Sequence, residues 1–177
     1  SVPLTVKEKK LVHGIFGDAI NTDNVVKHLV AKPDSDGFAA ITRGKTDISL
    51  YSPTYHSDDY SRTPDSIVFG TFMHEMTHIW QNQSKSQIAP IDSDSVDDPY
   101  AYKLYQNRGF DSYGTEQQAG IVEDYSRRFL HPSHTTRQIK ITPENDALLM
   151  KVVEDKFPNA HATRLSYQAQ QAPTGSS

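Results

Sequence analysis

Ser66-Ile67-Val68-Phe69-Gly70-Thr71-Phe72-Met73-His74-Glu75-Met76-Thr77-His78-Ile79-Trp80 is the stretch that decides the reading of this chain. Its apolar residues are too dense for a single stripe, which predicts a helix buried on most of its surface. Thr63-Pro64-Asp65 just before it reads as an N-cap, a proline at the first helical position and an acid in the first turn. Residues four apart share one helical face. His74 and His78 therefore present two imidazoles on the same side, with Glu75 beside the first. Polar groups sunk into such a helix cost free energy unless they have partners. Two neutral nitrogen donors next to a carboxylate base are what metal-assisted hydrolysis requires. Zinc is the ion this donor set favours.

A catalytic zinc usually has three protein ligands and an open position. One pattern places a third His six residues after the second, with a Gly between. Gln81 and Ser84 stand at those positions here, which excludes it. The other arrangement takes a Glu from a second helix, and residues 111–125 supply the candidate. Thr115 and Gln118 have capping-box spacing, so a helix starts near Glu116. Ala119 and Gly120 are small enough to let it approach the first helix. Glu116 is the expected third ligand. Glu123, two turns further on the same face, is its rival, and Asp124 and Asp111 are weaker ones.

HEMTHIWQ followed by TEQQAGIVEDY resembles the zinc metallopeptidase extensions at the C-termini of type VI secretion VgrG spike proteins, with related domains in Rhs-type toxins. The resemblance covers about residues 11 to 130. It takes in Ile15-Phe16-Gly17-Asp18-Ala19-Ile20, Val25-Val26 and Ile48-Ser49-Leu50-Tyr51. It implies a zincin-like α+β fold, with a small sheet whose edge strand lies over the HExxH helix. It also implies Glu116 as the ligand from a second helix. Ile48–Leu50, followed by Pro53, is the expected edge strand; it is either an ordinary edge or, as the resemblance implies, one that lies above the metal and pairs with an extended substrate. Many relatives of this wider type carry an Asp four residues after the ligand Glu to orient a zinc histidine. Gly120 stands there, so that partner must come from elsewhere.

The chain has 177 residues, which suits one domain with a real core. Its net charge is −4 with no basic cluster, which argues against nucleic acid as a partner. It has no cysteine, hence no disulfide and no thiolate metal site. No apolar run reaches membrane-spanning length. Ser1 to Lys10 lacks a signal peptide's apolar core, so export implies carriage in a larger chain or by another machine.

Helices are expected from about Thr5 to Phe16, over 115 to 130, and after Thr142-Pro143-Glu144 through Val153. Short strands are expected over 25–30, 38–42 and 48–51. Residues 84–99 read as a mobile surface loop, and 100–105 as a short Tyr/Leu segment. The domain is expected over 1–165, with a disordered tail over 166–177. The remaining histidines, His13, His28, His56, His131, His134 and His161, are expected mostly at the surface or satisfied in the core. Tyr113 and Tyr125 flank the ligand helix, where either packs or donates to an oxyanion.

The expected chemistry is peptide hydrolysis with His74, His78 and Glu116 on zinc and Glu75 as the base. The resemblance adds expected partners: a peptide or protein substrate, a parent spike and a cognate immunity protein. It also implies a secreted effector that acts in the periplasm of a target bacterium. Two other readings stay open here, a binding module with a structural zinc and a spike or adaptor domain with a vestigial site.

Overall fold

Helix α1 (Val6–Phe16) begins where Thr5 and Glu8 close a reciprocal capping box. The Thr5 hydroxyl accepts from the Glu8 amide at 3.0 Å, and the Glu8 carboxylate accepts from the Thr5 amide at 2.8 Å. The computed structural model describes residues 1–84 and 98–172. Glu8 is fully buried, and its carboxylate also accepts from Lys27 Nζ and the Tyr60 amide, each at 2.8 Å. A buried charge survives only with donors around it. This one pins α1 to the sheet and to the turn ahead of the second helix.

The four strands are β1 (Val2–Pro3), β2 (Val26–Val30), β3 (Ala40–Arg43) and β4 (Asp47–Tyr51), in the order β1-β2-β4-β3. β2 and β4 are parallel, and β3 and β4 form an antiparallel hairpin. Its turn uses Gly44 at φ 62°, which favours glycine. β4 is therefore interior and not the edge that the sequence suggests. Ile48 and Leu50 are fully buried, whereas β3 folds back outside β4 and takes the edge.

Helix α2 (Ser66–Ser84) starts later than expected. Asp65 caps it, accepting from the Ile67 amide at 2.8 Å, and Pro64 stands outside. Proline keeps Thr63 extended, and Asp caps as well as Thr does. Helix α3 (Thr115–Phe129) is capped one residue earlier than its spacing suggests, because the Gln117 side chain accepts from the Gly114 amide at 2.9 Å. Helix α4 (Pro143–Lys156) is capped by Thr142 as expected. Helix α5 (Asn159–Gln171) replaces the first part of the expected tail. Its Ala and Gln residues are adequate helix formers, and Thr163 donates to the Gly14 carbonyl at 2.7 Å, which holds α5 on α1. Residues 173–177, and 85–97 of the expected loop, lie outside the described residues. Residues 101–105 form no regular element.

The fold is α+β, with α2 between the sheet and α3. Trp80 anchors its C-terminal half against Phe16, Phe110 and Phe157, at centroid separations of 5.9, 5.9 and 5.0 Å. The close approach of α2 to α3 depends on Gly70. A Cβ there would lie 2.6 Å from Arg127 Cδ and 3.0 Å from Glu123 Cγ. Gly120, expected to serve this purpose, instead faces the Tyr102 ring. No helix among the described residues is long and apolar enough to cross a membrane.

Candidate metal centre

His74 and His78 lie on one face of α2, with ring centroids 5.0 Å apart. Both Nε2 atoms converge on one oxygen. Glu116 Oε1 is 3.0 Å from His74 Nε2 and 2.9 Å from His78 Nε2. Glu116 sits in the first turn of α3, where unpaired amides favour a carboxylate. Glu75 joins the cluster, with one ligand atom each from His74, Glu75 and His78 within 4.8 Å of one another.

The far nitrogen of each ring is held as well. His74 Nδ1 donates to Glu123 Oε1 at 3.0 Å, and His78 Nδ1 donates to Gln81 Oε1 at 2.7 Å. The orientation of Gln81 is fixed by its other end. Its amide nitrogen donates to the Thr115 carbonyl at 2.9 Å and to Gln118 Oε1 at 3.0 Å. Gln118 in turn donates to the carbonyls of Phe110 and Tyr113. With Nδ1 committed as a donor, a neutral ring carries its lone pair on Nε2.

Both rings thus present Nε2 to one Glu116 oxygen, a contact that a proton on either ring, or a cation held by the three atoms, would satisfy. Burial opposes charge on His74, but hydrogen bonds to Glu116 and Glu123 carry its pKa up to about 10. His78 moves the same way: burial opposes its charge, and the Glu116 hydrogen bond overcomes it. Burial pushes the Glu116 carboxyl up, but its bonds to both rings hold it well below the usual carboxylate range. A divalent cation would replace those protons. Donors around a tetrahedral zinc lie about 3.3 Å apart, a few tenths of an ångström wider than the two imidazole–carboxylate separations of 3.0 and 2.9 Å. His74, His78 and Glu116 would hold such an ion once those two contacts widened.

Glu123 sits on the opposite side of the His74 ring from Glu116, away from the point of convergence. It supplies the orienting carboxylate that Gly120 cannot, and it pairs with Arg137 at 3.4 Å and Arg127 at 3.6 Å. Asp124 accepts from the Tyr102 hydroxyl and the Arg137 and Gln138 amides, and Asp111 pairs with Lys156. Neither carboxylate joins the cluster.

Tyr113 donates to the Lys103 carbonyl, and Tyr125 to Glu154, so both serve packing. The six other histidines bond to partners elsewhere in the fold; His13, for example, bridges Gly17 and Thr22. Tyr100 and Thr42 are the site residues that the sequence did not reveal. The Tyr100 ring lies 5.8 Å from that of His74. Burial, and then the charges of Glu116 and Glu75, push the Tyr100 hydroxyl pKa up. The Thr42 hydroxyl reaches the Glu75 carbonyl at 3.1 Å and Glu75 Oε1 at 3.0 Å. Neither residue belongs to a spaced motif, so no local signal marks them.

These groups line a cleft of about 330 Å³ that is walled on one side by β3, from Ala40 to Thr42, with Phe38 at its rim. A larger cleft, about 570 Å³, between residues 105–112 and α4 holds no imidazole. The imidazole–carboxylate cluster lines the smaller one.

No family model matches the chain. In an alignment of 140 positions that covers 69% of the chain, it is 30% identical to the type VI secretion system spike protein VgrG2b of Pseudomonas aeruginosa. The match spans only 12% of that protein. Among solved structures, the effector domain of Pseudomonas aeruginosa VgrG2b aligns with a TM-score of 0.55. The alignment covers 86% of this chain and 83% of that one, at 22% identity. The mixed α+β architecture built around α2 and α3 is thus the fold of a VgrG effector domain.

Proposed function

We propose that this chain is a zincin-like zinc endopeptidase that acts as a type VI secretion effector domain. One observation carries the reading: two imidazole Nε2 atoms and one carboxylate oxygen converge on a point beside Glu75. His74, His78 and Glu116 would hold the ion, and Glu75 is left as the base. Zinc, when bound, would acidify a water and polarise a carbonyl. Glu75 would take a proton from the attacking water and deliver it to the leaving nitrogen. Tyr100, which lines the same cleft, would donate its hydroxyl to the carbonyl oxygen as charge develops there. The outer edge of β3, unpaired among the described residues, would offer backbone donors and acceptors to an extended peptide or protein substrate. Likeness to the spike's effector domain supports delivery on a parent VgrG spike to the periplasm of a target bacterium. The producing cell would then need a cognate immunity protein.

Glu75→Ala tests both halves. The variant should keep zinc, because Glu75 is not a ligand, and lose cleavage of an unfolded protein substrate. Fused to a periplasmic export signal, the wild type should arrest bacterial growth, and the variant should not. Full turnover by the variant removes Glu75 from the mechanism. Growth arrest that survives its loss refutes proteolysis as the toxic activity.

A further inference from the structure

Thr42 pairs with Ile48 across the β3–β4 hairpin, so it belongs to the strand that walls the cleft. Its hydroxyl has one proton and two acceptors in reach, the Glu75 carbonyl at 3.1 Å and Glu75 Oε1 at 3.0 Å. The carbonyl lies inside α2, where the helix's own amide ladder engages it. The ionised carboxylate is the stronger acceptor, so it takes the proton. We propose that Thr42 is a positioning residue for Glu75, holding Oε1 so that the other oxygen faces the water, and tying the base to the substrate-pairing strand. This rests on the peptidase reading. Three rotatable bonds separate the Glu75 carboxylate from its backbone, and without a tether it samples several rotamers. A misplacement of about 1 Å in a reacting group costs as much as about 100-fold in rate. The tether also has a consequence for specificity. A peptide that pairs poorly with β3 shifts the strand, and with it the base, so poor substrates lose turnover as well as binding.

The test compares zinc-loaded Thr42→Val and Thr42→Ser with the wild type. Valine keeps the β-branched shape and strand preference but has no hydroxyl; serine keeps the hydroxyl. Thr42→Val should lower kcat about 10- to 100-fold with KM within about twofold, and Thr42→Ser should restore most of the rate. Zinc affinity, read by chelator competition, should be unchanged in both. In crystals, the Glu75 side chain should occupy more than one rotamer in Thr42→Val and a single one in the wild type and Thr42→Ser. Equal losses in the two variants, a loss confined to KM, or a single unchanged Glu75 rotamer in Thr42→Val would overturn the proposal. If the zinc-loaded wild type cleaves no peptide at all, the peptidase reading fails, and the rotamer comparison still decides the role of Thr42.

Discussion

Glu116 and Glu123 both touch His74, yet their removal should have opposite signatures. Glu116→Ala deletes a donor from the point of convergence. Its side chain is 32% exposed, and without it the two rings can shed their protons. The cost to the metal-free fold is then mostly the lost charge at a helix N-terminus, about 0.3–1 kcal/mol. Glu123→Ala leaves the point of convergence intact but strips the carboxylate from Arg127, which is 7% exposed and whose Nε has no partner. Breaking one side of a buried pair costs about 3–5 kcal/mol, and the long 3.6 Å contact places this case near 3 kcal/mol. For a chain of this size that is a fall in Tm of about 6–12 °C, against at most about 4 °C for Glu116→Ala. Zinc affinity should reverse the order. Loss of the outer partner weakens binding about 10- to 100-fold, and loss of Glu116 by more than that. Thermal unfolding of the metal-stripped variants and competition with a chromogenic chelator measure the two axes. If Glu123→Ala loses more zinc than Glu116→Ala, or unfolds at the higher temperature, the assignment of ligand and orienting carboxylate is wrong.

Gly70→Ala should destabilise the protein and weaken zinc binding together. The gain of about 1 kcal/mol in helix propensity is set against about 1–3 kcal/mol of overpacking on Arg127 and Glu123. A variant with raised Tm and unchanged zinc affinity would show that the α2–α3 contact is looser than described. Glu154 gives a pH-dependent case. Burial pushes its carboxyl up, but hydrogen bonds from Arg164, Tyr125 and His161 hold it below the ordinary value of 4.5. Its contribution is therefore present above pH 4.5 and lost as pH falls through the depressed value. Glu154→Gln should cost about 1–3 kcal/mol at pH 7, with the gap to wild type closing below pH 4.5 in denaturant titrations. A gap that persists or widens in acid contradicts the assigned direction.

The reach of the sequence follows the range of the forces involved. His74, Glu75 and His78 were legible because one helix sets their geometry, and a 3.6-residue period is written locally. The start of α3 near Glu116 was legible for the same reason, within one residue, since capping is a contact between near neighbours. The edge of the sheet was not. A hydrophobic run such as Ile48–Leu50 shows that a strand is buried, and nothing in it says which neighbour closes over it. Ala119 and Gly120, small residues on the ligand helix, suggest from sequence that the close approach of α2 and α3 is made from that side. The contact is set by Gly70 on the other helix, and the side chains filling the space above it are 53 and 57 residues away in sequence. Thr42 and Tyr100 were missed for the same reason: each acts through a contact that exists only after β3 and the segment before α3 have packed on α2.

The site's polar chain explains why the centre is built before any ion arrives. Backbone carbonyls of Phe110 and Tyr113 hold Gln118, Gln118 holds Gln81, and Gln81 holds the His78 ring. On the other side Arg127 and Arg137 hold Glu123, and Glu123 holds the His74 ring. Each ring is thus fixed from the nitrogen that does not face Glu116. Little side-chain freedom remains for a cation to remove, so its binding is spared most of the ordering cost that a flexible site incurs. The same chain sets a direction for the chemistry. Both far nitrogens are occupied, both near nitrogens face Glu116, and Glu75 is tied to β3 rather than to a ring. On the proposed reading, a base held by the wall that pairs with a peptide would be in place only when that wall is, which would make substrate pairing and proton transfer one geometric event.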